Sequence, residues 1–282
     1  MMCSDKKGVL YVVATPIGNL KDITLRAIET LKSVNIIACE DTRVTKKLLN
    51  HYGIHGKKLI PYHEHIEKEA SEKVISLLKG GEDIALVSDA GTPCISDPGY
   101  RVVKKAWENG IKVVPVPGAF AGAAALSASG LPSDKFLFVG FLPNKPKKKE
   151  KLLQEYIKTG ITFILYESPK RIKKTVQLIG NISPDSEVVV AKEITKIHER
   201  FFRGKAEDIL NILDEETLLK GEFVVVVYPA DIKEKENTQV HIEIQKLIRE
   251  GKKAKEIARE ISAKFGIPKN KVYKIVVSHQ KE

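Results

Sequence analysis

Ile84-Ala85-Leu86-Val87-Ser88-Asp89-Ala90-Gly91-Thr92-Pro93-Cys94-Ile95-Ser96-Asp97-Pro98-Gly99 is an apolar run that empties into a turn of small residues. Ile84 to Val87 reads as a strand covered on both faces. Pro93 and Pro98 forbid a helix interior or a regular ladder beyond it. Gly91 and Gly99 admit backbone angles and close approaches that other residues resist. Open α/β sheets bind ligands in the crevice outside the carboxyl ends of their strands. The stretch is therefore read as a ligand loop, because a plain connector needs a single turn signal and this one carries several.

Upstream, Val9 to Ala14 is another apolar strand, ending in Thr15-Pro16-Ile17-Gly18-Asn19-Leu20. That turn lacks the G-x-G-x-x-G fingerprint, which disfavours a dinucleotide site. Asp22 or Thr24 can cap the next helix, where Ile23, Ala27, Ile28 and Leu31 have helical spacing. Asn35 to Cys39 is a strand running into Glu40-Asp41-Thr42-Arg43, which reads equally as a polar site and as a helix N-cap with a surface ion pair. Leu59 to Tyr62 leads to His63-Glu64-His65. The H-x-H spacing suits a metal, but no third ligand stands at a diagnostic spacing, so a polar loop is preferred and no metal is expected. Glu67 to Lys79 and Gly99 to Asn109 read as helices, with Trp107 assigned to the core. Ile111 to Val116 is a strand that turns at Pro117-Gly118. Strands alternating with helices imply a parallel or mostly parallel sheet.

Downstream, Ala119 to Gly130 is dominated by Ala, Gly and Ser, which let the chain lie close to a ligand or another backbone and mark a junction. Phe136 to Phe141 is a strand. The lysine run from Asn144 to Lys151 reads as a solvated loop, with a phosphate-facing loop as the sharper alternative. A helix over Leu152 to Lys158 and a strand over Ile161 to Tyr166 lead to the polar terminus Glu167-Ser168-Pro169-Lys170-Arg171. A helix over Ile172 to Ile179, a strand over Glu187 to Ala191 reaching Lys192-Glu193, a short element from Phe201, a helix over Ala206 to Leu213 and a strand over Phe223 to Tyr228 follow. The tail reads as three helices: Val240 to Arg249, Ala254 to Phe265, and Lys269 to Val277 with Val272, Tyr273 and Val276 inward. A basic helix after the Gly266-Ile267-Pro268 turn has the look of a helix-turn-helix.

The whole chain has 282 residues, 43% hydrophobic and 29% charged, which fits a soluble protein of two domains and an appendage. A formal net charge of +11 points to a polyanionic partner. Cys3, Cys39 and Cys94 lack C-x-x-C spacing and suggest neither disulfides nor a zinc site. A reducing cytoplasm is expected, and no run reaches signal-peptide or membrane-spanning length.

Ala14 to Leu20, Cys39 to Arg43, Ser88 to Gly99, Pro115-Val116-Pro117-Gly118, Gly140-Phe141-Leu142-Pro143, Tyr166-Glu167-Ser168-Pro169 and Lys192-Glu193-Ile194-Thr195-Lys196 stand in the order seen in one family. The chain resembles the ribosomal RNA small subunit methyltransferase I family, within the tetrapyrrole methylase superfamily. The resemblance implies two α/β domains with S-adenosylmethionine in the cleft between them, plus the small helical tail: residues 1–118, 119–229 and 230–282. It implies methyl transfer to the 2′-hydroxyl of a cytidine in 16S rRNA, either naked or in the small ribosomal subunit, by a cytoplasmic homodimer with no membrane partner. It places Pro16, Ile17 and Gly18 beside the cofactor, and Asp89, Ala90, Gly91 and Thr92 against its methionine part and ribose. It puts Gly118, Ala119, Phe120, Ala121 and Gly122 at the interdomain turn, and Tyr166, Ala191 and Glu222 near the adenosine. The sequence departs from the family pattern at Ile66, Phe120, Val139 and Lys170. Phe120 excludes a side-chain hydrogen bond to cofactor at its position.

Methyl transfer from a sulfonium requires the nucleophile and methyl carbon in line, about 3 Å apart. A ribose hydroxyl is a weak acid, so a base favours the reaction. Glu167 or Glu193 is the expected proton acceptor, with Arg43 and Lys192 steadying RNA or developing charge; the competing reading makes both Glu residues structural ion pairs, with Arg171 and Lys196. RNA contacts are expected from Lys147, Lys148, Lys149, Lys170 and Arg171 and, in the tail, from Lys252, Lys253, Lys255, Lys269, Lys271 and Lys274. Two alternatives remain at this point. A tetrapyrrole C-methyltransferase shares the cleft and cofactor but has no need of a basic tail. A silent RNA-binding module leaves the loop from Asp89 to Gly99 unexplained.

Overall fold

The computed structural model describes residues 7–213, 220–230, 242–266 and 268–279. The first sheet comprises β1 (Val9–Val13), β2 (Ile36–Cys39), β3 (Lys58–Pro61), β4 (Ile84–Val87) and β5 (Lys112–Val116), in the order β3-β2-β4-β1-β5 and parallel throughout. Helices α1 (Leu25–Ser33), α2 (Thr42–His51), α3 (Glu67–Lys79) and α4 (Tyr100–Glu108) connect the strands. Every residue of β2 and β4 is buried, as a parallel sheet covered on both faces requires. Leu10, Ala38, Ile60 and Leu86 pack with Val74, Leu78, Val102 and Ala106 on one face. Val13, Ile37, Cys39 and Val87 pack with Ala27, Leu31 and Leu49 on the other. Each large aliphatic side chain among them, fully buried, stabilises the fold by about 1.5–3 kcal/mol relative to exposure.

The order reverses between β1 and β4. The chain leaves β1 for β2 on one side and leaves β4 for β5 on the other, which makes the carboxyl ends of β1 and β4 the switch point where open α/β sheets bind ligands. A backbone bridge ties the loops just beyond the strand ends, Thr15 N to Gly91 O at 2.8 Å and Gly91 N to Thr15 O at 3.1 Å.

Helix α5 (Ala121–Ser129) leads to the second sheet: β6 (Phe136–Phe141), β7 (Thr162–Glu167), β8 (Glu187–Lys192), β9 (Arg200–Gly204) and β10 (Phe223–Tyr228), ordered β6-β7-β10-β8-β9. Only β6 and β7 run parallel; the other pairs are antiparallel. Helices α6 (Pro146–Lys158), α7 (Ile172–Ile182) and α8 (Ala206–Leu213) cover one face, through Leu153, Ile157, Val176, Ile179 and Ile209. The small residues of α5 cover the other, with Ala125 and Leu126 against Ile164, Val189 and Val224. The last helices, α9 (242–249), α10 (Ala254–Phe265) and α11 (Lys269–His279), share their own core of Ile244, Leu247, Ile257, Ile261, Val272 and Val276.

Several local readings change. The lysine run is helical, not a loop: Pro146 occupies the first turn of α6, where its missing N–H costs nothing, and lysine is a good helix former. Trp107 is 69% exposed, because α4 buries the stripe of Val102 and Ala106 instead. Tyr273 is 41% exposed, while Val272 and Val276 fill the core of the last helices. Thr24 is the cap of α1, accepting from Ala27 N at 3.1 Å. Asp41 caps α2 and pairs with Arg43 at 2.6 Å, which is the N-cap reading of Glu40 to Arg43. Residue 267 and residues 240–241 of the expected tail helix and turn lie outside the described residues.

Candidate active site

Strand ends of both sheets converge on one cavity of about 330 Å³. Ile17 follows β1, Ala90 to Thr92 and Ile95 to Asp97 follow β4, and Phe120 and Ala121 follow β5. From the second sheet come Phe141 of β6, Tyr166 to Pro169 at the end of β7, Ile194 beyond β8 and Gly221 to Val224 entering β10. The volume is that of a small-molecule site.

The loop after β4 is held by its own chemistry. Thr92 Oγ1 donates to Ala119 O at 3.0 Å, tying it to the start of α5. Cys94 and Ser96 adopt left-handed φ of 71° and 66°, a conformation that L-residues enter at a cost. Gly140, at the β6 bulge, faces Ser96 so closely that a Cβ there would lie 2.8 Å from its Oγ. The sheets are also joined on the other side, where Asn19 N donates to Thr195 Oγ1 at 3.0 Å.

Aromatic rings form one wall. Phe120 meets Phe138 edge-on at 5.0 Å, Phe138 meets Tyr166 at 5.1 Å, and Tyr166 meets Phe141 at 5.5 Å. Burial pushes the Tyr166 phenol up to about 12, against a hydrogen bond from the Gly122 backbone. Carboxylates gather around the ends of β2 and β4. Burial, then the charge of Glu40, push Asp97 up to about 6, against a hydrogen bond from Ser88. Burial raises Asp89 and Glu40 as well. Hydrogen bonds from Arg43 hold Asp41 down at about 2. No group of three or more metal-ligating side chains exists among the described residues.

Of the residues expected to hold cofactor, Ile17, Ala90, Gly91, Thr92, Phe120, Ala121, Tyr166 and Glu222 line the cavity. Pro16 is buried behind it. Gly18 packs under the 193–196 turn, where a Cβ would come 2.5 Å from Lys196 Cγ. Asp89 accepts the Asp41 amide at 3.0 Å. Gly118 abuts Ala14, and Gly122 abuts the Phe120 ring. Ala119 supports Thr92 through its carbonyl. Ala191 is buried in the α5 face of the second sheet.

The expected catalytic set is not brought together. Glu167 borders the cavity, but its carboxylate is fully buried and already engaged. It meets Lys149 Nζ at 3.2 Å, Arg171 Nε at 3.0 Å, Thr175 Oγ1 at 2.6 Å and Ser168 N at 2.9 Å. Glu193 accepts from Lys196 Nζ and from Glu222 N, each at 2.9 Å, and so clasps the entry to β10. Lys192 is buried in register with Phe223. Arg43 stands 86% exposed, paired with Asp41.

The lysines divide. Lys147, Lys148, Lys170, Lys253, Lys255 and Lys269 are exposed. Lys252 is half-buried and paired with Glu260 at 2.8 Å. Lys149 and Arg171, expected to face RNA, turn inward to Glu167; an acid buried at the end of β7 requires a cation, and these two supply it. The side chains of Lys271 and Lys274 lie outside the described residues. Sequence reasoning passed over Asp97, Phe141, Ile194 and Gly221, all in the cavity wall. Asp97 sat inside the stretch read as a ligand loop, and Phe141 and Ile194 inside quoted family motifs; Gly221 carries no local pattern that marks it.

The family described as Tetrapyrrole (Corrin/Porphyrin) Methylases matches residues 9–210. Solved structures share the fold. A diphthine synthase superposes with TM-score 0.61 at 16% identity, over 79% of this chain and 90% of its own. The cobalt precorrin-4 methyltransferase CbiF gives 0.56 at 19% identity, over 77% and 94%. Sequence relatives are much nearer. Ribosomal RNA small subunit methyltransferase I of Halalkalibacterium halodurans is 44% identical over 96% of this chain and 95% of its own length. The Bacillus subtilis protein of that name is 42% identical over 94% and 93%. That of Haemophilus influenzae is 40% identical over 98% and 99%. With the cavity at the meeting of two sheets and that likeness along nearly its whole length, the chain belongs to the ribosomal RNA small subunit methyltransferase I family of tetrapyrrole methylases.

Proposed function

We propose that this protein transfers a methyl group from S-adenosylmethionine to the ribose 2′-hydroxyl of a cytidine in 16S rRNA. The observation that carries the reading is the cavity itself, lined by apolar and aromatic side chains with the carboxylates Asp97, Glu167 and Glu222, in a chain whose relatives are named for modifying small-subunit rRNA. S-adenosylmethionine supplies an electrophilic methyl group on a sulfonium.

The residues present fit that group. Phe120, Tyr166, Phe141, Ile17 and Ile194 offer a face to an adenine ring. The backbone at Ala90 and Gly91 is bare enough for direct approach: Gly91 has φ +86°, and a Cβ there would fill space 3.4 Å from Ile17 Cγ2. Glu222, at the rim, suits ribose hydroxyls. The remaining residues named for the cofactor hold these in place from behind. The exposed lysines, Lys147, Lys148 and Lys170 on one side and Lys253, Lys255 and Lys269 on the tail, suit RNA phosphates. Lys252, Lys271 and Lys274 belong to the same basic tail. The units are residues 1–118, 119–229 and 230–282, acting as a cytoplasmic homodimer. No helix among the described residues is long and apolar enough to cross a membrane.

Mass mapping of 16S rRNA after incubation of small subunits with the protein and labelled S-adenosylmethionine tests the reading. A methyl group on one cytidine ribose is the expected result. Label on a porphyrinoid instead, or on neither, refutes it. Sedimentation equilibrium gives twice the chain mass if the dimer is correct.

A further inference from the structure

We propose that Asp97 is the residue that accepts the proton of the attacking hydroxyl, a role that rests on the methyl-transfer reading of the cavity. The carboxylates lining the cavity are Asp97, Glu167 and Glu222. Glu167 is held by two cations, a hydroxyl and an amide, so no face of it is free to take a proton. Glu222 is 77% exposed and bound to Lys196 Nζ at 3.1 Å, at the rim. Asp97 alone of these lines the interior without a Lys or Arg partner among the described residues. What acts on it is the Ser88 hydroxyl, which hydrogen-bonds it, and the carboxylates Glu40 and Asp89.

Its position is built. The left-handed residues Cys94 and Ser96 fold the loop back over the end of β4. Gly99 then passes so close to Leu86 that a Cβ would lie 2.9 Å from its Cδ2. Strain of this kind persists only where the surroundings impose it. The titratable groups around Asp97 are Glu40 from the end of β2, Asp89 from the loop after β4, the Cys94 thiol of its own loop and the Tyr166 phenol of β7. Farther out, His63 acts on Glu40, and the Asp41–Arg43 pair acts on Asp89. Burial and like charge keep the Asp97 carboxyl near 6, in the range where a base is both ionised at neutral pH and basic enough to work. In the reaction, the hydroxyl oxygen bonds to the methyl carbon as that carbon leaves sulfur, which keeps the electron pair. The hydroxyl proton passes to an Asp97 carboxylate oxygen, so the positive charge lost at sulfur is matched by the negative charge lost at Asp97.

The test uses the full chain, small ribosomal subunits and labelled S-adenosylmethionine. Absence of ribose methylation by the wild type removes the underlying reading, and the proposal with it; the remaining outcomes bear on Asp97 alone. Asp97→Asn is expected to slow single-turnover transfer about 10²–10⁴-fold, the span of general base catalysis, with cofactor and subunit affinities within about threefold. Asp97→Glu restores part of the rate. The wild-type rate rises with pH to about 6 and then levels, and that bend is absent in Asp97→Asn. Glu40→Gln moves the bend to lower pH by removing a like charge. In the unloaded protein, carboxyl carbon-13 NMR shows a titration near 6 that Asp97→Asn abolishes. Near-wild-type turnover in Asp97→Asn with the acid bend intact overturns the proposal. So does a fall in cofactor affinity of more than about tenfold, which would make Asp97 a cofactor ligand. If Asp97→Asn does not fold, an unmoved bend in Glu40→Gln overturns it.

Discussion

Two carboxylates of this cavity sit in opposite kinds of burial, and each makes its own prediction. Asp97 is desolvated by burial, sits beside Glu40 and Asp89 and has no Lys or Arg partner among the described residues, so folding raises its carboxyl from about 3.9 in an unfolded chain to about 6. A carboxyl raised by folding binds its proton more tightly in the native state, so native stability falls as pH climbs through that interval. Asp97→Asn is therefore expected to raise the thermal midpoint at pH 8 and leave it unchanged at pH 4, as calorimetry at the two values will show. Glu167 is the reverse case, buried with Lys149 and Arg171. Lys149→Ala leaves Glu167 with Arg171 as its one cation and should cost about 1.5–3 kcal/mol in urea unfolding, the loss of a hydrogen bond to a buried charge. The residue chemistry at both positions was visible in the sequence. The Glu167–Arg171 pair, four residues apart, was open to the sequence; the added hold of Lys149 and Thr175 was not, because they reach Glu167 from helices that only the fold brings to it.

At the scale of the element, the turns at 15–20 and 193–199 matter more than their lengths suggest. Glu193 and Thr195 take left-handed φ of 52° and 66°, and the carboxylate of Glu193 holds the entry to β10. Asn19 and Gly18 of the first sheet rest on that turn. Gly18→Ala would place a methyl group 2.9 Å from Thr195 Oγ1 and 3.1 Å from Ile194 O. The two sheets should then be pushed apart at the cavity while each keeps its own core. Cofactor affinity by calorimetry is expected to fall about tenfold, or about 1.4 kcal/mol, with the far-ultraviolet circular dichroism unchanged. The family resemblance placed the first turn beside the cofactor, and Glu193 of the second was expected as a proton acceptor. Their mutual contact is a tertiary fact, set by the facing of the sheets.

At the scale of the molecule, the C-terminal helices keep a hydrophobic core separate from the clusters of the two sheets, and they carry exposed Lys253, Lys255 and Lys269. If these meet phosphates, the triple change to Glu should weaken subunit binding and flatten its salt dependence. The slope of log affinity against log salt should drop by about 0.7–0.9 for each phosphate that is no longer neutralised, with cofactor affinity preserved. An unaltered slope would assign the net charge of +11 to solubility rather than to RNA.

The sequence by itself determined the alternation of apolar strands and amphipathic helices, the turn-rich loop after β4 that lines the cavity, and the family. These rest on periodicity, on turn chemistry and on the order of motifs, all written locally along the chain. Tertiary structure alone decided that Lys149 turns inward to Glu167, and that Asp97 lines the cavity beside Glu40 without a Lys or Arg partner among the described residues. An ionisable group's role depends on what is packed within a few ångströms of it: Arg171 and Lys196 stand within four residues of their acids, whereas Lys149 and Glu40 are brought in from other elements.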